Sequence, residues 1–428
     1  MRILIYSYNY HPEPIGIAPL MTELAEGLVK QGHQVRVVTA MPNYPERQIY
    51  PEYRGKLYCT EEINGVTVQR CYVSIRPDPG LVTRVLLDGS FIFLSFFQAL
   101  RGWRPDVILS TSPSLPACLP VALLKWLYSC PTVLNLQDIL PEAAVRTGLI
   151  SNQFAIRIFE VLEKFAYKSA TKISVITEGF AENLVGKGVS RDRMVCIPNW
   201  VDINFICPQP KHENAFRAAH NLKDKFVVLY SGNIARTQGI RTIIRSAALL
   251  KPYPEIAFVI SGEERQLAHL DELRQELGAT NVLLLPFVAR EDLPEMLAAS
   301  DVGLIMQKKS MVGFNMPSKT QVLLASGRPI IASVPSDGAA AKAVTRSGGG
   351  LVVKPENPTS LAKAILHLFK HPEKAAKLGY QGRRHAETHY SFHQALQAYE
   401  ELFEELSLVS SSSIDPTSKA LSDLRHGL

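Results

Sequence analysis

Val227-Val228-Leu229-Tyr230-Ser231-Gly232-Asn233-Ile234-Ala235-Arg236-Thr237-Gln238-Gly239 reads as a buried strand running into a loop with two glycines. An amphipathic helix is expected from Ile240. A loop between strand and helix presents backbone N–H groups and a helix N-terminus to an anion, and Arg236 adds a forked cation. The stretch predicts a parallel α/β domain with a diphosphate site at the strand end. Glycine at such a turn can also serve plain sterics, so the surrounding sequence has to support the reading. Met316-Pro317-Ser318-Lys319 and Ala325-Ser326-Gly327-Arg328-Pro329-Ile330-Ile331-Ala332 follow in the same half of the chain.

The chain has 428 residues, too many for one core and suited to two α/β domains. With 46% hydrophobic and 20% charged residues it is globular in composition. A formal charge of +6 is too dilute over this length to argue for nucleic acid. The six cysteines (Cys59, Cys71, Cys118, Cys130, Cys196, Cys207) have no framework spacing and read as reduced, mostly buried thiols. His385, His389 and His393 recur at metal-ligand steps, but Tyr390-Ser391 interrupts the helix and argues against zinc. Arg2–Ser7 reads as a first strand, so no signal peptide is expected. The apolar run from Val85 to Leu100 holds Asp88, Ser90, Ser95 and Gln98 and falls short of the ~20 residues of a spanning helix.

Strand-like runs alternate with helical patterns from the start. Arg2–Ser7, Gln34–Ala40, Asp106–Ser110, Thr132–Gln137 and Lys172–Thr177 read as strands. Helices are expected near Pro19–Gln31, Phe154–Ser169 and Glu178–Lys187. Cys207-Pro208-Gln209-Pro210 reads as a linker. A second series has strands at Phe226–Tyr230, Ala257–Ser261, Val282–Leu285, Val302–Ile305, Pro329–Ser333 and Gly350–Val353. Helices near Thr359–Lys370, Pro372–Glu387 and Phe392–Leu408 close it, and the serine-rich tail from Ser410 reads as mobile. The expected class is α/β, with two Rossmann-like domains facing across a cleft and ligands at the carboxyl ends of the strands.

Gly16, Gly32-His33-Gln34-Val35 and Pro198-Asn199-Trp200-Val201-Asp202 form a spaced set with Ser231-Gly232-Asn233, Arg236, Gln238-Gly239 and Ala325-Ser326-Gly327-Arg328-Pro329. The set resembles the retaining glycosyltransferases of the GT-B fold and is similar to family 4 of those enzymes. The Asn-Trp, Gln-Gly and Pro-Ser-Lys variants resemble the branch that builds bacterial exopolysaccharide, colanic acid and O-antigen. The resemblance implies an acceptor-side domain over 1–206 and a nucleotide-sugar donor domain over 207–390. A helix over 391–408 would cross back to the first domain, ahead of a flexible tail over 409–428. It further implies sugar transfer with retention from a UDP- or GDP-type donor to a lipid-linked saccharide in surface polysaccharide synthesis. No metal or other cofactor is expected, and the place of action would be the cytoplasm at the inner face of the membrane.

Residue by residue, the resemblance implies that Gly232 and Asn233 bring backbone amides to the donor diphosphate, beside Ser231 and Gln238. Arg236 would pair with its oxygens, and Lys319, with Ser318 before it, would approach the same group. Gly262, Glu263, Phe287 and Val288 would flank the nucleoside, and Gly16 would let the first loop approach the sugar phosphate. Asp138 would lie near the acceptor or serve as a helix cap. Arg236, Lys319 and the amides suit a departing phosphate, whose growing charge needs fixed cations and oriented dipoles. Three departures stand out. The family's paired glutamates fall at Phe314 and Val322, leaving Asn315, Ser318 and Gln321 as polar neighbours; Gln137, before Asp138, stands where many relatives have histidine; and Gln238 stands where many have lysine. A non-catalytic nucleotide-sugar-binding accessory protein and a GT-B-fold epimerase therefore stay open beside the transferase. The stretch from Val82 to Arg104, with Arg76, Arg84, Arg101 and Arg104, reads either as a buried crossover helix or as an interfacial one whose Phe93, Phe96 and Phe97 meet a membrane.

Overall fold

The computed structural model describes residues 1–412 apart from 15, 45, 77–80, 113–114, 140–141, 143–151, 212, 236 and 312–315, with the side chains of 81–82, 155 and 409–412 also excluded. Contacts divide the chain into two units, Met1–Ile197 with the helix from Leu396 onward, and Pro198–Ala395.

The first unit runs β1 (Arg2–Tyr6), α1 (Ala18–Lys30), β2 (Gln34–Ala40), β3 (Tyr58–Ile63), β4 (Val66–Cys71), α2 (Leu81–Ala99), β5 (Val107–Thr111), α3 (Cys118–Tyr128), β6 (Thr132–Leu136), α4 (Gln153–Ser169), β7 (Lys172–Val175), α5 (Glu178–Gly186) and β8 (Met194–Cys196). Its sheet has the order β3-β4-β2-β1-β5-β6-β7-β8, in which β3 and β4 are antiparallel. The central strands β1 and β5 are buried almost along their whole length, with apolar residues predominating, because helices cover both faces of the sheet. Gly32, at φ +88, stops α1 in a conformation that side chains avoid. The β3–β4 hairpin is absent from the strands expected above, although Asn64-Gly65 marks it. Both residues take positive φ, as a tight hairpin turn requires.

The second unit runs α6 (Ala215–Ala219), β9 (Phe226–Ser231), α7 (Arg241–Leu249), β10 (Ile256–Gly262), α8 (Glu264–Glu276), β11 (Val282–Pro286), α9 (Leu293–Ala299), β12 (Val302–Met306), α10 (Lys319–Ala325), β13 (Ile330–Ser333), α11 (Ala339–Ser347), β14 (Gly350–Val353), α12 (Pro358–Lys370) and α13 (Pro372–His389). Its sheet order is β11-β10-β9-β12-β13-β14, and every pairing is parallel. Strand order reverses between β9 and β12, the place where open α/β sheets leave a crevice beyond the strand ends.

The boundary between the units falls before Pro198 and not after residue 206. The intervening residues are held by the second unit. Val201 N–H donates to Tyr390 O at 2.9 Å, and Arg383 donates to Ile203 O and Ile206 O. Trp200 packs on Phe392 with ring centroids 5.7 Å apart. Helix α14 (Phe392–Ser412) then passes into the first unit and runs beyond the expected end at Leu408, while the tail from 413 lies outside the described residues. Asn135 donates to the Tyr399 hydroxyl at 2.7 Å, Ser174 Oγ lies 3.1 Å from it, and Glu405 pairs with Lys172 at 2.9 Å. Tyr399→Phe should therefore destabilise the protein by about 0.5–1.5 kcal/mol, since Asn135 Nδ2 loses one of its two acceptors and keeps Ser174 Oγ at 3.0 Å. Denaturant unfolding measures this, and an unchanged midpoint would mean that the apolar side of α14 alone holds the helix.

Candidate active site

The strongest chemistry in the second unit sits where β9 ends and α10 begins. Lys319 Nζ is buried and has no hydrogen-bond partner among the described residues. It stands 3.8 Å from the centroid of the Tyr230 ring. Burial pushes the amine down to about pH 7 in its titration. Gly232 lies beside it at φ +133, and a Cβ there would come within 2.9 Å of Nζ. Glycine is thus required twice, by the backbone and by the amine. Holding the charged form there without an anion is costly, and an anionic group placed beside Nζ would offset that cost.

The loop's other members brace it. Gln238 Oε1 accepts from Ala235 N–H at 3.2 Å and lies 2.6 Å from the Tyr230 hydroxyl. The hydroxyl also faces Asn233 O at 2.7 Å, and its one proton serves both acceptors. Gln238 therefore shapes the loop. Gly232 N–H corrects an expectation: it donates to Ser261 O at 3.1 Å, so the sheet has taken the amide assigned to diphosphate. Ser231 ends β9 half-buried, and Asn233 is exposed at the loop. Gly262 makes room for Ile234, whose Cδ1 would lie 2.4 Å from a Cβ, so its small size serves packing. Glu263, Phe287 and Ser318 are exposed, and Val288 packs partly on the core. Arg236, Phe314 and Asn315 lie outside the described residues.

Thr320 Oγ1 and Gln321 Oε1, on the first turn of α10, are also buried and unpartnered among the described residues. Buried polar atoms are normally bonded; three successive exceptions place unmet hydrogen-bonding capacity at this helix start. Val322 is packed partly against the core of this unit and supplies no polar contact.

The Ala325–Pro329 motif proves structural. Arg383 donates to Ala325 O at 2.8 Å, Arg328 to Gln209 O and Ala298 O, and a Cβ on Gly379 would meet Gly327 O at 2.2 Å. The spacing that marked the family holds the fold here. His385 and His389 stack at 4.1 Å, and among the described residues no group of His, Cys, Asp and Glu is arranged to hold a metal ion.

In the first unit, Asp138 follows β6, and burial raises its carboxyl to about 6. Gly16 takes φ +72 on an exposed loop with open space around it. Sequence reading passed over Glu13, which is 4% exposed and accepts from Asn9 Nδ2, Asn43 N–H and Tyr44 N–H at 2.6–3.0 Å. It ties the loop after β1 to the loop after β2. The only signal for it was a carboxylate between prolines in a strand-to-helix loop. Tyr230 was missed as well, because nothing local shows which way its ring faces.

Two doubly wound α/β units, parallel throughout except for the β3–β4 pair of the first, make up a GT-B fold. Residues 16–200 match the Glycosyl transferase 4-like domain, and residues 212–385 match Glycosyl transferases group 1. The chain is 32% identical over 373 residues to the putative colanic acid biosynthesis glycosyl transferase WcaI of Escherichia coli, covering 85% of this chain and 91% of that protein. Sucrose-phosphate synthase from Thermosynechococcus elongatus superposes with TM-score 0.73 at 17% identity, over 96% of this chain and all of that one. Anabaena HepE, solved with UDP and glucose, gives 0.69 at 16% identity, over 95% of this chain and all of that one. The chain belongs to the group 1 glycosyl transferases, and it is an enzyme of sugar transfer.

Proposed function

We propose that this glycosyltransferase moves a sugar, with retention, from a UDP- or GDP-sugar to a lipid-linked saccharide during assembly of a surface polysaccharide. The observation that carries the donor half is the buried Lys319 amine beside Gly232, which has no hydrogen-bond partner among the described residues. A departing nucleoside diphosphate gathers charge on its bridging oxygen, and a preformed cation in a dry site offsets that charge most in the transition state. The proton of the attacking hydroxyl passes to the leaving phosphate on the same face of the sugar. Neither a protein nucleophile nor a metal enters this reading. The name of the similar WcaI supports the polysaccharide setting, and the UDP held by HepE supports the donor class.

The test is calorimetric titration with UDP, GDP and their sugars in the presence of a chelator, followed by nucleoside diphosphate release in the presence of lipid extracts. One nucleotide is expected to bind without metal and to raise the melting temperature as its concentration exceeds its Kd. Failure of every nucleotide sugar to bind would remove the donor assignment.

A further inference from the structure

The first unit carries an apolar face that its own core leaves uncovered. On α4, Phe154, Ile158, Val161 and Phe165 are all exposed and recur at three- and four-residue steps, so they form one stripe. Leu119, Leu123 and Trp126 do the same on α3, and Trp126 is 78% exposed. Phe93 and Phe97 of α2 stack edge to face at 4.9 Å and remain exposed. These stripes are continuous. A groove of about 580 Å³ is lined by Phe93, Phe97, Leu119, Leu123 and Phe165, from all three helices. Isolated exposed apolar residues are ordinary, whereas a contiguous patch marks an interaction surface.

The charges beside the patch select its occupant. Arg157, Lys164 and Lys168 are exposed and fall along one flank of the α4 stripe. The nearest acidic residue on the helix's inner side, Glu163, is buried and already paired with Lys187. Glu160 lies beyond the cation row. Apolar residues on one helical face with a row of cations beside them suit the boundary between headgroups and acyl chains. Among the described residues no helix is long and apolar enough to cross a membrane.

We infer that α2, α3 and α4 together form a docking face for an anionic lipid bilayer, with Trp126, Phe154 and Val161 entering the acyl boundary and the α4 cations meeting headgroups. This deepens the proposed function and rests on its lipid-linked acceptor. It also moves the anchor expected on α2 alone. Phe96 is packed partly against the core of this unit, so Phe96→Ser would test folding as much as binding.

Flotation of the full chain with vesicles of phosphatidylglycerol and phosphatidylcholine, and with phosphatidylcholine alone, tests the inference. The wild type should float with the anionic vesicles only. Trp126→Ser/Phe154→Ser/Val161→Ser, all at exposed positions, should lower the partition coefficient at least about tenfold, and Arg157→Gln/Lys168→Gln should lower it several-fold. Both variants should keep the melting shift produced by the nucleoside diphosphate that binds the wild type. Flotation of the apolar variant at the wild-type level overturns the inference. So does a wild-type dimer on sizing that the apolar variant dissolves, which would assign the face to a second copy. If flotation fails while the nucleotide shift persists, the docking face falls and the proposed function stands. If the protein floats as expected and no nucleotide binds, the reverse holds.

Discussion

Lys319→Met is expected to raise the melting temperature of the free protein and to weaken nucleoside diphosphate binding by about tenfold to a hundredfold. The loss corresponds to the roughly 1.5–3 kcal/mol of a hydrogen bond to a charged group. The opposite signs are informative. A lysine kept for stability would cost stability when removed, whereas a buried amine with no hydrogen-bond partner among the described residues relieves the fold when it goes. The sign with pH follows from its titration near 7, below the ordinary lysine range. Between pH 7 and that range the unfolded chain holds a proton that the folded chain lacks, so wild-type stability rises with pH across the window. The stability gained by Lys319→Met is therefore largest below pH 7 and fades as pH rises. Donor binding selects the protonated amine, so wild-type affinity should fall above pH 7 with proton uptake from buffer, and the variant should lose that dependence. Calorimetry in buffers of different ionisation enthalpy measures the uptake. Equal pH profiles for the two proteins would remove Lys319 from the phosphate site.

The second large effect is expected from Gly232→Ala. Its φ of +133 lies where an alanine is strained, at a cost of about 1–3 kcal/mol. The new methyl also meets the Lys319 amine at 2.9 Å and must displace it, so binding should fall alongside stability. Combining Gly232→Ala with Lys319→Ala removes the collision and leaves the strain. The two changes should then be non-additive in stability, as residues in contact are. Strict additivity in denaturant melts would mean that the glycine serves the backbone alone.

Much of this was legible in the chain. The strand–loop–helix at Val227–Gly239 is a local pattern, and local alternation determines a parallel sheet because each apolar run must be covered on both faces. What the loop does with its amide was not legible. Gly232 N–H bonds to Ser261 on the neighbouring strand β10, so the group counted as a ligand for phosphate belongs to the sheet. The Ala325–Pro329 motif shows a related limit. Its spacing identified the family, yet Arg383 from α13 and the close approach of Gly379 give it a structural role that no local window contains. Trp126 and Phe154 illustrate the same point at the surface, since an amphipathic pattern marks an apolar stripe and only packing reveals whether anything covers it.

By itself the sequence determined two doubly wound α/β units, the helix stop at Gly32, the glycine turn after β9 and the family, all of which depend on neighbouring residues and ordered spacings. Only the tertiary structure decided that the Lys319 amine is buried against Tyr230 and Gly232 with no hydrogen-bond partner among the described residues, that Glu13 clamps two loops, and that three helices share one bare apolar face. Each of these is a matter of burial and of distance between segments far apart in the chain, and burial is set by what packs against a residue rather than by the residue itself.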